Sequence, residues 1–413
     1  MKRIYLDHSA TTPVDTAVFT AMRPFFSRVF GNPSSVHTFG QQAAAGVEHA
    51  RQQAAEFLNA TPDEIVFTSG STEANNLAIK GIIAALRRND SGKKIHVITS
   101  VIEHDSVLEP FAELERSGVE VTHLPVDARG IISLADLKNA IKDETALVSI
   151  MYVNSEVGSI EPIKQIGQLI AKLNERKLRD WKSADAKRRG EKPEPIYFHT
   201  DATQAANFLN CDVKINFLDA LSLSGHKIYG PKGVGLLYLK KGTPILAAQT
   251  GGHHELNRRS GTLNVTGIVG LGAALAQLKP AVTEKNNKKI SLVRNLLVNG
   301  LTAAIPDLIL NTDVNNATPA HAHFSFLGVE GESILIALDL AGVAVSTGSA
   351  CASNSLKASH VLVAMGIPVE VAHNSIRFTL GKHTTAEEIR KVIKILPPLV
   401  KKLRKISTEY KTT

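Results

Sequence analysis

Lys227 is the residue whose surroundings point most directly to chemistry. It lies in Ser224-Gly225-His226-Lys227, immediately after residues 220–223, whose apolar character is typical of a strand end. Burial lowers the pKa of a lysine towards that of a nucleophilic amine, which can form a Schiff base with an aldehyde. Because Ser224 and His226 can hold a phosphate beside it, the motif favours a phosphorylated aldehyde cofactor. A surface lysine in a Gly/Pro-rich turn is the simpler alternative for this motif alone.

A carboxylate follows another predicted strand. Asp201 comes directly after the aromatic-rich run 197–200, and Gln204 lies three residues beyond it. Pyridoxal phosphate needs a carboxylate against its pyridine nitrogen, because the protonated ring takes up electrons during its chemistry. Asp201 is therefore predicted to contact that nitrogen, and Gln204 to donate to the ring hydroxyl. A helix-capping aspartate is the alternative for Asp201 taken singly.

A predicted helix start supplies hydroxyl groups for a phosphate. Residues 68–72 have the sequence Thr-Ser-Gly-Ser-Thr, follow the strand-like residues 65–67 and precede a helical pattern. Backbone N–H groups at a helix N-terminus favour a phosphate, and neighbouring hydroxyl groups can add hydrogen bonds to it. Ser71 and Thr72 are therefore the predicted phosphate ligands.

The elements that must position these residues alternate between strands and helices from about residue 62 to 240. This alternation predicts an α/β fold, in which a mostly parallel seven-stranded sheet carries helices on both faces. The predicted strands are 65–69, 96–100, 120–126, 146–153, 195–201, 220–224 and 233–240. Ser106 and Glu109 have the spacing of a capping box and predict the start of one helix. The candidate residues follow strand ends, where open α/β sheets bind their ligands.

The pattern changes after Thr262 and predicts a second, smaller α+β domain. Its predicted elements are helices at 265–277, 287–304, from Glu332 and after Thr384 or Thr385, and strands at 308–311, 323–327, near Ala344 and at 375–380. We expect a large cofactor-binding domain at 15–262, with a basic insertion at 175–195. The small domain is expected to comprise 1–14 and 263–413 and to carry Cys351.

Cys351 lies among small residues that favour turns. The stretch 346–356 has the sequence Ser-Thr-Gly-Ser-Ala-Cys-Ala-Ser-Asn-Ser-Leu. An isolated cysteine is usually buried and inert, but this composition predicts an exposed, mobile loop. A reactive thiol is therefore predicted at Cys351, whereas Cys211 has no such setting and no role is assigned to it.

Several motifs, taken together and in this order, resemble those of one family. They lie at residues 5–13, 30–35, 103–104, 151–158, 224–233, 259–262, 348–351 and 375–378. Over nearly its whole length the chain is similar to the cysteine desulfurases of the bacterial iron–sulfur cluster assembly type. These are pyridoxal-phosphate enzymes of the class V aminotransferase family. The resemblance implies a fold-type I transferase.

The resemblance also implies a reaction. L-Cysteine would become L-alanine, while its sulfur passes to Cys351 as a persulfide and then to an acceptor for iron–sulfur clusters or tRNA thiolation. Lys227 would hold the cofactor covalently. His104 would stack on the cofactor and carry protons, because the pKa of a histidine lies near neutrality. Cys351 could in addition serve as a transient iron–sulfur ligand.

Further roles are implied for residues that bind rather than react. Arg377, helped by Asn154, would hold the substrate carboxylate with its planar fork of donors. Thr262 resembles a phosphate contact supplied by the partner subunit, which implies a homodimer. The implied cofactor contacts are Ser71, Thr72, Asn154, Asp201, Gln204, Ser224, His226, Lys227 and Thr262.

Composition limits the setting. The net charge is +8, and residues 176–192 supply +5 of it with eight Lys/Arg against three acids. A solvated helix extension is the simpler interpretation of this segment; contact with an acidic protein is an alternative, and contact with tRNA a minor one, because Trp181 is its only aromatic residue. Two cysteines, no apolar run of membrane length and no signal-peptide pattern predict a protein of the reducing cytoplasm.

Two other classes of function stay open at this point. A selenocysteine lyase, or a related pyridoxal-phosphate lyase or aminotransferase, would use the same cofactor and would not require Cys351. A non-enzymatic scaffold would keep the fold and bind a partner through the basic segment. No resident metal site is predicted, because His254 and Glu255 begin like a zinc-protease helix but Arg258 stands where the second ligand belongs.

Overall fold

The computed structural model describes residues 3–88, 90, 92–183, 193–348 and 358–407. Its largest sheet has seven strands: β2 (Ile65–Thr68), β3 (His96–Ser100), β4 (Glu120–Leu124), β5 (Thr145–Ser149), β6 (Tyr197–Asp201), β7 (Ala220–Ser224) and β8 (Gly235–Leu239). Their order is β2-β8-β7-β6-β5-β3-β4, in which β8 runs antiparallel to both neighbours and the other four pairings are parallel. The predicted seven-stranded, mostly parallel sheet is confirmed.

Burial explains why these strands could be predicted. Strands β3, β5, β6, β7 and β8 are buried along their whole length, as expected for a sheet with helices on both faces. Strand β5 is shorter than predicted, because the apolar residues 150–153 leave the sheet and Val153 pairs with Ile160 in an isolated bridge. The chain after β5 therefore turns at the carboxyl edge of the sheet.

Eight helices accompany this sheet in the described part of the chain. They are α1 (Thr16–Met22), α2 (Pro24–Ser27), α3 (Thr38–Leu58), α4 (Ser71–Arg87), α5 (Asp105–Arg116), α6 (Leu134–Ala140), α7 (Ile163–Ser183) and α8 (Val265–Leu275). Small residues let α3 and α8 approach closely, since a Cβ on Gly272 would lie 2.6 Å from the Cα of Ala50. Both helices contribute to the main hydrophobic core.

A second group of elements surrounds a separate core. It contains strands β1 (Ile4–Tyr5), β9 (Leu308–Leu310), β10 (His321–Phe326), β11 (Val343–Ala344) and β12 (Ser375–Thr379), and helices α9 (Pro280–Ala304), α10 (Gly331–Leu340), α11 (His360–Ala364), α12 (Val369–His373) and α13 (Ala386–Ile406). Strands β12, β10 and β9 form an antiparallel sheet, while β1 pairs in parallel with β11. Ile4 and Leu6 pack into this second core, which supports the proposed grouping of the N-terminus with the small domain.

Helix starts show where local prediction was wrong. Helix α5 begins at Asp105 and is capped by His104, whose ring accepts from the N–H of Ser106; Ser106 is therefore not the cap. At α13 the capping box uses Thr385 and Glu388, one of the two predicted pairs. Helix α7 includes residues 175–183 of the predicted basic insertion, and residues 184–192 lie outside the described part.

Within the described residues, no single helix has the length and apolar character that a membrane span requires. Helices α8 and α9 meet that requirement only when they are counted as one pair across a bend of 77°.

Three buried histidines make stability depend on pH. Desolvation lowers the pKa of His199 to about 4 and those of His321 and His323 to about 3. In the unfolded chain these histidines therefore bind protons near pH 6.5, whereas in the folded chain they stay neutral until a much lower pH. The contribution of the three neutral histidines to the free energy of unfolding is fully present above pH 6.5 and is lost as the pH falls towards 4. We expect a loss on the order of 1 to 2 kcal/mol per histidine between pH 7 and 5.

Urea unfolding at pH 7 and pH 5 checks this expectation. The ring of His199 hydrogen-bonds to the hydroxyl groups of both Ser149 and Ser222, so His199→Asn should lower the free energy of unfolding. The same substitution removes a titrating ring and should make the free energy of unfolding depend less on pH. The exposed His123 provides the control, because His123→Asn should leave that dependence unchanged. Equal pH dependence in wild type and His199→Asn would contradict the argument.

Candidate active site

A cavity of about 660 Å³ lies at the carboxyl edge of the large sheet. Eight of the predicted site residues line it: Ser71, Thr72, His104, Asp201, Gln204, His226, Lys227 and Arg377. They come from α4, the start of α5, the ends of β6 and β7, and β12. The fold thus brings together residues that are up to about 300 positions apart in the sequence. Cys351 lies outside the described residues, in the segment 349–357.

Lys227 follows β7 in a single 3₁₀ turn, Gly225–Lys227. Its ammonium group donates to the carbonyl oxygens of Ser9 at 2.5 Å and Ala10 at 2.8 Å. The side-chain amide of Gln204 donates to the same Ser9 oxygen at 2.9 Å. The N-terminal segment therefore crosses the site and holds the amine of Lys227 beside Gln204, although neither carbonyl carries a charge that would fix the lysine permanently.

Asp201 ends β6 with a buried carboxylate. One oxygen accepts from the N–H of Thr203 at 2.9 Å, and the other accepts from the side-chain amide of Asn75 at 2.8 Å. Asn75 lies on α4, one turn after Ser71, and its amide also donates to the hydroxyl of Ser106 at 2.9 Å. These donors engage both oxygens of Asp201 and fix the direction of its carboxyl group.

The N-terminus of α4 forms the opposite end of the cavity. Gly70 caps this helix, and a Cβ added to Gly70 would meet only the hydroxyl of Ser224, at 3.9 Å. The space in front of the helix is therefore bounded by the hydroxyl-bearing residues Ser71, Thr72 and Ser224. Ser224 itself is buried behind the cavity wall. A hydroxyl-rich helix N-terminus is suited to a phosphate.

Two histidines differ in their surroundings. The N–H of Ser106 donates to Nδ1 of His104 at 3.1 Å, so the ring proton of His104 belongs on Nε2. His226 is partly buried, and Nδ1 lies 3.2 Å from the hydroxyl of Thr11. Burial, with Lys227 and Lys232 as smaller causes, lowers the pKa of His226 to about 4. His226 is therefore a neutral group at physiological pH and offers a hydrogen bond rather than a charge.

Arg377 reaches the cavity from β12. Its guanidinium donates to Asp7 at 3.0 Å and to the carbonyl oxygen of Ser155 at 3.1 Å. It is buried, and its Nε has no hydrogen-bond partner among the described residues. A buried cation with an unused donor on the wall of a cavity is suited to a carboxylate ligand.

Two predicted contacts lie elsewhere. Asn154 is buried behind the wall, where its amide donates to Ile102 O at 3.1 Å and its oxygen accepts from the N–H groups of Glu156 and Val157. In the structure Asn154 therefore holds a turn of backbone, and a role on substrate stays a prediction. Thr262 is exposed and does not line this cavity, so its predicted contact with a partner subunit also stays a prediction.

Several polar residues of the site escaped sequence reasoning. Asn75 could have been found, since it lies four residues after Ser71 and thus on the same helix face. Thr203 has a buried hydroxyl without a partner among the described residues and lines the cavity. Glu103 is completely buried beside His104, and burial raises the pKa of its carboxyl well above the usual range. Nothing in its sequence context signals that burial.

The donor set fits pyridoxal phosphate. The cavity offers an amine at Lys227, a carboxylate at Asp201 and a hydroxyl-rich helix N-terminus at Ser71 and Thr72, and the unpaired hydroxyl of Thr203 adds another donor. These are the groups that an aldehyde, a pyridine nitrogen and a phosphate require. Among the described residues, no group of three or more His, Cys, Asp or Glu side chains is arranged to hold a metal ion.

Comparison with known proteins gives a consistent result. The sequence profile of the family Aminotransferase class-V matches residues 4–179 and 185–392, with its interruption inside the predicted insertion. Cysteine desulfurase IscS of Dictyoglomus turgidum is 46% identical over 408 residues, which cover 98% of this chain and 97% of that protein.

Solved structures agree. A NifS-like protein is 33% identical, with a TM-score of 0.86 over 97% of this chain and 100% of its own. SspA, solved in complex with cysteine, is 34% identical, with a TM-score of 0.75 over 92% of this chain and 100% of its own. The predicted fold-type I architecture is thereby confirmed. With this architecture, a full-length family match and a relative of this similarity, the chain belongs to the class V aminotransferase family and, within it, to the cysteine desulfurases of the IscS group.

Proposed function

We propose that this chain converts L-cysteine to L-alanine with pyridoxal phosphate and receives the substrate sulfur on Cys351. The observation that carries the proposal is one cavity that contains Lys227, Asp201 and Arg377 together. The two described ends of the Cys351 segment, at Gly348 and Ala358, line the same cavity. This reaction needs an amine, a carboxylate, a group that binds the substrate carboxylate and a segment that bears a thiol.

The chain's own residues divide the binding work. Asp201, which accepts from Thr203 and Asn75, would contact the pyridine nitrogen, and the start of α4 would hold the phosphate. Lys227 supplies the amine that attaches the aldehyde. When bound, pyridoxal phosphate supplies an electron sink that labilises bonds at the substrate's α- and β-carbons.

Substrate is oriented from the other side of the cavity. Arg377 would bind the cysteine carboxylate through its unused donor, in the same cavity that the described ends of the Cys351 segment line. His104 Nε2 lies at the α5 start on the cavity wall and moves protons to and from the reacting carbons. Glu103 is fully buried beside it, and burial raises the pKa of its carboxyl well above the usual range, which disfavours a negative charge there.

Transfer of sulfur from the substrate to Cys351 requires no external oxidant. The Cys351 thiolate attacks the substrate Sγ, so that an S–S bond forms while the Cβ–S bond breaks. The electron pair of that bond stays with the carbon, which takes up a proton and becomes the methyl group of alanine. The resulting persulfide then delivers sulfur to an acceptor protein for iron–sulfur cluster assembly or tRNA thiolation, and a thiolate returns to Cys351. The proposal includes a homodimer in which Thr262, exposed in the structure, would contact the phosphate in the partner's site.

Mass spectrometry after addition of cysteine tests this function. We expect one additional sulfur atom on the Cys351 peptide and a matching amount of alanine. Cys211 is the internal control, because burial raises the pKa of its thiol to about 12 and should leave it unmodified. A Cys351→Ala variant that still forms alanine at the wild-type rate would contradict the proposal and favour a lyase that does not use this thiol.

A further inference from the structure

One carboxylate joins the two ends of the segment that bears Cys351. Ser359 donates its hydroxyl to Oε2 of Glu156 at 2.5 Å. On the other side of the segment, a Cβ added to Gly348 would lie 2.3 Å from the same Oε2. Gly348 and Ser359 are eleven positions apart, and Cys351 lies between them. Both ends therefore meet at one oxygen atom on the wall of the cavity.

Glu156 is itself held on a fixed turn. It is buried, and its N–H donates to the side-chain oxygen of Asn154 at 2.9 Å. The N–H of Asn154 donates to Ser159 O, and Val153 and Ile160 pair on either side. These bonds fix the backbone from which the Glu156 carboxylate extends towards Ser359.

The same turn contacts the proposed substrate clamp. The carbonyl oxygen of Ser155, next to Glu156, accepts from Arg377 at 3.1 Å and from the hydroxyl of Ser9 at 2.7 Å. Adjacent residues of one rigid turn thus hold the substrate clamp and the ends of the cysteine segment. The turn therefore fixes the distance between Arg377 and the described ends of the cysteine segment.

The position of Gly348 is also restricted from a second side. The Cβ added to Gly348 would lie 3.2 Å from Nε2 of His323, which is fully buried. The amide of Asn311 donates to Nδ1 of His323 at 3.0 Å, so the ring proton is on Nε2, and this N–H has no partner among the described residues. Gly348 is packed between this donor and the Glu156 carboxylate, and no side chain fits at that position.

We propose that Glu156 is a positioning residue for Cys351 in sulfur transfer, because one carboxylate oxygen accepts from Ser359 and packs against Gly348 beside the turn that contacts Arg377. The inference rests on the proposed function, in which Cys351 attacks the substrate sulfur. Glu156 need not touch the substrate. An error of about 1 Å in the approach of two reacting atoms can cost on the order of 100-fold in rate.

Two measurements on three variants test the proposal. In Glu156→Ala, we expect single-turnover persulfide formation to fall roughly 100-fold while the KM for cysteine changes less than about threefold. Ser359→Ala removes the hydroxyl that donates to Glu156 and that also caps α11 at the N–H of Leu362, and it should give a smaller fall of about tenfold. Glu156→Gln keeps an acceptor oxygen and the shape of the side chain, so it should restore most of the rate.

Alkylation of Cys351 by iodoacetamide, followed by peptide mass spectrometry, gives a second readout that needs neither cofactor nor turnover. We expect the alkylation rate of Cys351 to change at least about threefold in Glu156→Ala and Ser359→Ala. Glu64→Ala is the matched control, because Glu64 also accepts a hydroxyl, from Thr61, but lies outside the cavity. It should change neither the alkylation of Cys351 nor persulfide formation.

The outcomes separate the two proposals. If Cys351 is alkylated at the wild-type rate in both Glu156→Ala and Ser359→Ala, the positioning role of Glu156 is overturned. A rise in KM that accounts for the whole loss of rate would also overturn it, since the turn would then act only through Arg377. Absence of persulfide from the wild-type protein would overturn the proposed function, while the alkylation comparison would still decide the role of Glu156. If Glu156→Ala does not fold, Ser359→Ala decides alone.

Discussion

Lys227→Ala is expected to lower alanine formation from cysteine by roughly three orders of magnitude or more, because the amine that attaches the cofactor aldehyde is lost. In the structure Lys227 is the only lysine among the described residues that line the cavity. Its side chain donates to the uncharged carbonyl groups of Ser9 and Ala10, and each such hydrogen bond contributes only about 0.5 to 1.5 kcal/mol. The variant should fold and lose the yellow colour of the bound cofactor.

Two further variants separate chemistry from structure. Lys227→Arg keeps a cation that can donate to Ser9 and Ala10 but cannot form an imine, so it should be as inactive as the alanine variant. Lys232→Ala removes an exposed lysine five residues away and should keep both colour and activity. Borohydride reduction of the holoprotein should fix the cofactor on the Lys227 peptide. An unmodified Lys227 in that peptide, or an active Lys227→Arg, would contradict the assignment.

The sequence predicted the sheet well because its strands are buried on both faces. Runs such as 146–149 and 220–223 are continuously apolar or small, and a parallel sheet under two helix layers requires this. The proposed site residues were found for a related reason. Asp201 is the last residue of β6 and Lys227 lies three residues after β7, and the carboxyl ends of parallel strands converge at one edge.

Contacts to backbone atoms were beyond the reach of sequence patterns. The carbonyl oxygens of Ser9 and Ala10 hold Lys227, but a carbonyl group has no residue type that a motif could reveal. The same limit applies to His104, since a histidine side chain is an unusual helix cap and the Ser106–Glu109 spacing was more familiar. Asn154 was assigned to substrate, yet its amide holds a backbone turn.

The role of Glu156 required the tertiary structure. Its partners, Gly348 and Ser359, are about 200 positions away in the sequence, and a glutamate in a turn is usually solvated. Only the fold shows that this carboxylate is buried and that both ends of one segment reach it. Long-range pairings of this kind follow from how β5, β12 and the segment before α11 meet at the cavity.

Arg377→Ala is expected to lower kcat/KM for cysteine by roughly 100- to 1000-fold, mainly through KM. Arg377 offers the substrate carboxylate its unused Nε–H donor, and truncating one partner of a buried, hydrogen-bonded charge pair costs about 2 to 5 kcal/mol. Arg377→Lys keeps the charge but loses the fork of donors, so it should recover only part of the affinity.

Cysteamine, which is cysteine without its carboxylate, makes the test specific. Wild-type protein should strongly prefer cysteine, and Arg377→Ala should lose most of that preference because the clamp no longer distinguishes the two. Removing Arg377 also leaves Asp7 without its cation at 3.0 Å, so some loss of stability is expected in addition. Arg294→Ala is the matched control, since Arg294 is equally buried but does not line the cavity. A ratio of cysteine to cysteamine turnover that is unchanged in Arg377→Ala would show that the substrate carboxylate binds elsewhere.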